Sequence, residues 1–178
     1  MNKITCLLIG HEPFGNNKYE NMKYKDIAAN IDENICFDDI AFIPVPKKGS
    51  NYKINYNSII SYTRMLGVIN KIKIGENNFV NLNSNAINKI TNLAKEGVYL
   101  VNFKELETMN FFKSEHYNDD ITLICFGDKA IKGINKLDLN NKILEFPHPS
   151  GQNKHPLWYE FYDTPRVYNG VIEIINEF

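Results

Sequence analysis

No apolar run in this sequence is long enough to cross a membrane: the opening segment Ile4–Ile9 is far too short, and no pattern of small residues marks a cleavage site after a longer one. Charge of one sign is also lacking. Twenty Lys and Arg stand against 21 Asp and Glu, a net charge of -1, so a polyanion partner would have to meet a local patch. There are three cysteines, Cys6, Cys36 and Cys125, dispersed along the chain, and this excludes a cluster held by four thiolates. Cys6 and Cys125 lie inside apolar runs, where a thiol behaves as a small core residue, and the pattern fits a reduced cytoplasm. No Walker-type glycine loop, internal repeat or long low-complexity linker is found.

What the chain does have is apolar content, 43% of 178 residues, enough for one compact domain over residues 1–178. Ile4–Ile9 is a short continuous apolar run ending at Gly10, the pattern of a strand buried on both faces. Gly97–Val101 ending at Asn102, Ile121–Phe126 ending at Gly127, and the weaker Lys142–Phe146 ending at Pro147-His148 repeat it. Between them, Ser58–Ile72 sets Ile59, Tyr62, Leu66 and Ile69 on one helical face, and Asn85–Ala94 does so with Ile87, Ile90 and Leu93. The alternation predicts an α/β fold with a central, mostly parallel four-stranded sheet, three layers deep. Asn16–Tyr24 and Pro44–Asn57, rich in Asn, Lys, Tyr and Pro, are expected to be surface loops.

In such sheets ligands bind outside the carboxyl ends of the strands, where the conspicuous polar residues of this chain sit. Gly10-His11-Glu12-Pro13-Phe14, Ile40-Ala41-Phe42, Leu93–Asn102, Ile124–Ala130 and Phe146-Pro147-His148-Pro149-Ser150-Gly151 together, in this order, resemble the motifs of the uracil-DNA glycosylase superfamily. The resemblance runs through nearly the whole chain, and its specificity lies in order and spacing, since each piece alone is common.

The resemblance implies a DNA glycosylase that hydrolyses the N-glycosidic bond of a flipped-out pyrimidine without metal or other cofactor, acting as a monomer on single- or double-stranded DNA. Breaking that bond develops positive charge on the sugar and negative charge on the base. Glu12 falls at the family's water-activating carboxylate, most often Asp, and His148 at the donor to the base oxygen. A Glu is one methylene longer, in a mechanism where a shift of about 1 Å can cost roughly 100-fold. Asn102 falls at the base-reading amide, which suits uracil or, turned over, cytosine. Phe42 falls at the ring that stacks on the base, with core packing as its competing role.

His11 and Phe14 are implied beside the base. Phe14 stands where the uracil-specific branch has Tyr, and Gly15 where the family has a larger residue, so a 5-modified cytosine of phage DNA is an expected substrate alongside uracil. Ser150, Gly151 and Gln152 are implied as DNA contacts, with Gln152 at the position of an apolar wedge and Leu157 or Trp158 as substitutes for it. By themselves His11 and His155 read as solvent-facing or phosphate-contacting, and Trp158, Tyr159, Phe161 and Tyr162 as a hydrophobic cluster under a long loop. The other expectation is an inactive relative that binds DNA or a protein.

Overall fold

The computed structural model describes residues 3–13, 18–27, 36–49, 51–54, 59–71, 86–150, 152–153 and 155, with the backbone alone at 63, 66, 67, 69–71 and 86. Four parallel strands form the central sheet: β1 (Cys6–Gly10), β4 (Val98–Asn102), β5 (Thr122–Phe126) and β6 (Ile143–Phe146), in the order β4-β1-β5-β6. Each is one of the apolar runs predicted from sequence. Cys6 aligns with both Val98 and Thr122, and Gly10 with Asn102. Leu7, Leu8, Ile9, Leu100, Val101, Leu123 and Ile124 are fully enclosed, which explains why β1, β4 and β5 show no polar alternation. Each such side chain stabilises the fold by about 1.5–3 kcal/mol relative to exposure. The thiols of Cys6 and Cys125 are part of this core, and burial pushes both up to about 12.

Helices flank the sheet, an arrangement consistent with three layers. Helix α1 (Ile60–Lys71) buries Tyr62, Met65 and Val68, and α2 (Ala86–Lys95) buries Ile90, Leu93 and Ala94. Ile87, expected on the inner face of α2, is exposed, because the buried stripe runs through Lys89, Ile90, Leu93 and Ala94 instead. The side chains of Leu66 and Ile69 lie outside the described residues. The short α3 (Phe103–Thr108) follows β4 directly, and α4 (Asp128–Asn135) follows β5 after Gly127 alone.

Of the two segments expected as loops, the first contains a strand, while the second enters a strand only at residues 44–46 and is outside any helix or strand over residues 47–49 and 51–54. β2 (Tyr19–Lys23) and β3 (Asp39–Pro46) form a separate antiparallel pair. The pairing jumps from Asn21–Pro44 to Lys23–Asp39, so β3 carries extra residues in a bulge, and Phe42 sits there with φ +66°. This pair docks on the edge of the main sheet. The Leu100 N–H donates to the Tyr24 hydroxyl at 2.8 Å, and that hydroxyl donates back to the Leu100 carbonyl at 3.3 Å. One phenol thereby satisfies both outward backbone groups of an edge-strand residue. Among the described residues, no helix is long and apolar enough to cross a membrane.

Candidate active site

From β1 the chain runs out to β4 on one side and then returns to β5 on the other, so the strand order reverses between β1 and β5. A crevice at that reversal, beyond the carboxyl ends, is where sheets of this kind place ligands. A cleft of about 570 Å³ lies there, within the range of small-molecule sites. His11 and Glu12 enter it from the end of β1, and Phe126, Gly127, Asp128 and Lys129 from the β5–α4 turn. Pro147 and His148 follow β6, and Asn153 and His155 complete the described wall.

Glu12 is well exposed, and two bases fix it. Lys104 Nζ, from the first turn of α3, lies 2.7 Å from Glu12 Oε1, and His11 Nδ1 lies 3.1 Å from the same oxygen. The hydrogen bond and charge of Lys104 hold the Glu12 carboxyl below its usual range, with smaller contributions from His11 and Lys129. The Lys104 backbone N–H also donates to the His11 carbonyl at 3.4 Å, so α3 braces the loop from both main chain and side chain. Both contacts fall on one carboxylate oxygen, which leaves Oε2 available to a water or a developing cation. His11 therefore does not simply face solvent as its bare sequence context suggests; it partners Glu12.

His148 receives a hydrogen bond at Nδ1 from the Ser150 backbone N–H, 3.2 Å away. An accepting Nδ1 puts the proton of a neutral imidazole on Nε2, and desolvation lowers the His148 pKa, favouring that neutral form. The contact is the loop-capping one expected of an ordinary structural histidine, yet it leaves a fixed N–H donor on the other nitrogen. Gly127 makes room for the ring. Its φ is +87°, and a Cβ there would lie 3.0 Å from His148 Cβ and 3.1 Å from Cδ2.

Beneath the cleft, Phe42 packs edge-on against Phe126 at 5.4 Å between centroids and against His148 at 6.5 Å. Its positive φ is an outlier for a bulky aromatic residue, the kind of strain that survives where surrounding structure imposes it. Asn102 lies alongside. A Cβ on Gly10 would be 3.0 Å from Phe42 Cζ and 3.4 Å from Asn102 Oδ1, so the missing side chain at Gly10 is what lets the three meet. Asn102 is buried and occupies the N-cap position of α3, but its side chain makes no capping bond, and Nδ2 has no hydrogen-bond partner among the described residues. A buried amide donor left unmatched costs about 1–3 kcal/mol, so Asn102 is poorly explained as a structural residue.

The structure thus brings His11, Glu12 and His148 to one cleft and sets Phe42 and Asn102 just under it. Ser150 contributes backbone, through its N–H to His148, while Gln152 is exposed and does not line the cleft. Phe14, Gly15, Gly151, Leu157, Trp158, Tyr159, Phe161 and Tyr162 lie outside the described residues.

Two supporting residues were not anticipated. One is Lys104. The other is Arg64 of α1, 3% exposed, whose Nη1 donates to the carbonyls of Ser150 at 2.8 Å and of Pro149 and Asn153 at 3.4 Å. A guanidinium buried against three carbonyls of the loop that carries His148 fixes that loop to the body of the fold. Neither was signalled by the sequence: at helical spacing Arg64 falls away from the predicted Ile59, Tyr62, Leu66 and Ile69 stripe, and Lys104 stands two residues beyond Asn102 in the first turn of a short helix. Comparison of the chain with protein families, with curated proteins and with solved structures finds no match to any of them.

Proposed function

We propose that this chain is a DNA glycosylase of the uracil-DNA glycosylase type, with the corresponding three-layer fold, acting on a pyrimidine flipped out of DNA. The observation that carries the reading is the pairing, across one cleft, of a carboxylate kept ionised with a histidine whose Nε2 is a neutral donor. N-glycosidic hydrolysis needs those two groups on opposite sides of the scissile bond. As the bond from C1′ to the base nitrogen breaks, its electron pair leaves with the base. Nε2–H of His148 donates to the base oxygen that gains this charge. The Glu12 carboxylate faces the cationic sugar, accepts a proton from water, and directs the oxygen to C1′. The products are the free base and an abasic site.

Asn102 suits the remaining requirement, because its buried Nδ2 has no partner among the described residues and a pyrimidine edge offers both a donor and an acceptor to an amide. Phe42 supplies a ring beside it for stacking. Uracil and 5-modified cytosine are the two substrates to which these residue types apply. Duplex and single-stranded oligonucleotides carrying uracil, thymine, hydroxymethylcytosine or its glucosylated form, scored for alkali-labile sites, test the proposal. We expect cleavage at one of the modified or deaminated pyrimidines, and a loss of at least about 100-fold in Glu12→Ala and in His148→Ala. No cleavage of any substrate would overturn the activity. Unchanged rates in both variants would overturn the assignment of the site.

A further inference from the structure

The chain is nearly neutral, but its charge is segregated. Residues 40–75 contain six Lys and Arg and no Asp or Glu, which leaves 14 basic against 21 acidic residues elsewhere. Arg64 is buried behind the His148 loop, while Lys47, Lys48 and Lys53 are exposed just past the end of β3. The β2–β3 pairing brings a fourth lysine to them: the Lys47 N–H donates to the Lys18 carbonyl at 3.1 Å. Lys18 Nζ lies 5.2 Å from the centroid of the Tyr52 ring, and the Tyr19 ring lies 6.1 Å from it. Tyr52 is 48% exposed, the one aromatic among the exposed large hydrophobic residues that are described. The acidic residues of these strands are Glu20, on β2, and the Asp38–Asp39 pair, which binds Lys23 at the opposite end.

We infer that the tip of the β2–β3 pair, with Lys18, Lys47, Lys48, Lys53 and Tyr52, is a contact surface for unpaired DNA flanking the target nucleotide. Lysines neutralise phosphates, and an exposed ring between them offers a face to a base only where that base is unstacked. The placement suits a strand that continues from the cleft. Phe42, against His148, and Pro46, at the end of the same strand, are four residues apart, a span of about 13 Å. The surface rests on the proposed action on DNA, and it makes the substrate preferentially single-stranded near the target.

Binding of the full chain to labelled oligothymidylate and to a blunt duplex of equal length, by fluorescence anisotropy over a series of salt concentrations, tests this. Tyr52→Ala should weaken oligothymidylate binding about 10-fold while Tyr52→Phe retains it, with duplex binding unchanged in both. Replacing Lys47, Lys48 and Lys53 together by Gln should lower the slope of log affinity against log salt by about 2, near 0.7 per lysine. Equal losses on duplex and single strand in Tyr52→Ala, no change in either, or equally effective competition by polyglutamate would overturn the inference. The binding assay is separable from base excision. Excision with unaltered binding in these variants sinks the surface and spares the glycosylase; the expected binding changes without excision of any base do the reverse.

Discussion

Nearly half of the Glu12 side chain is open to solvent, so its ionisation is set by neighbours and not by burial. Lys104 is the main one, and its effect has a definite sign. A carboxyl whose folded pKa is lowered keeps its charge as pH falls below its ordinary range and loses it only at the lower folded value. Lys104→Met should therefore raise the midpoint at which Glu12 protonates, read from the carboxyl-carbon chemical shift, and reduce excision more at about pH 5 than at neutral pH. An unmoved midpoint would show that Lys104 does not govern Glu12. His148 is shifted in the compatible direction: its lowered pKa preserves the neutral Nε2–H form below the ordinary histidine range. Glu12 and His148 were legible in the sequence because both follow strands ending in conspicuous Gly or Pro punctuation. Lys104 was not, since a lysine in the first turn of a short helix is an ordinary solvent-facing residue until the fold aims it at a carboxylate.

At the level of elements, β1, β4 and β5 could be read from sequence because strands buried on both faces must be continuously apolar, whereas β6, with Glu145 exposed, was the weaker run. β2 and β3 could not be read from it. Tyr19-Glu20-Asn21-Met22-Lys23 is polar, and Pro44 and Pro46 interrupt β3, features that ordinarily mark loops. Their pairing is tolerated because the two strands form a sheet of their own, in which β3 bulges instead of keeping a regular ladder. Helix α1 was expected from its apolar spacing, but Arg64, the residue on it that reaches the site, lies off that stripe. Arg64→Ala removes three hydrogen bonds from a charged donor and leaves the carbonyls of Pro149, Ser150 and Asn153 without it. The expected cost is about 2–4 kcal/mol in denaturant unfolding, with kcat falling far more than KM because the loop no longer holds His148 in place. Arg64→Lys should restore most of the stability and little of kcat, since one ammonium does not reproduce the planar guanidinium. Equal losses in kcat and stability-matched control variants would reduce Arg64 to a purely structural role.

Across the whole molecule, the candidate site draws on two bodies of structure: the parallel sheet supplies Glu12 and His148 to the cleft and Asn102 beneath it, and the antiparallel pair supplies Phe42 beside Asn102. Their relative placement depends on the edge of β4, where Tyr24 binds Leu100 through one hydroxyl and packs edge-on to Tyr99 at 5.6 Å. Tyr24 is 1% exposed, so no solvent replaces that hydroxyl if it is removed. Tyr24→Phe keeps the ring and its packing while leaving the Leu100 N–H buried without its acceptor, a loss of about 1–3 kcal/mol. Hydrogen exchange at the Leu100 amide should accelerate, and excision should decline even though Tyr24 is absent from the cleft, because Phe42 loses its anchorage beside Asn102. Unchanged exchange together with unchanged excision would mean that the packing of Ile40, Ala41 and Ile43 alone holds the two bodies in register. Loss of stability with undiminished excision would instead show that Phe42 does not stack on the base, and would return it to the core-packing role that its burial also allows.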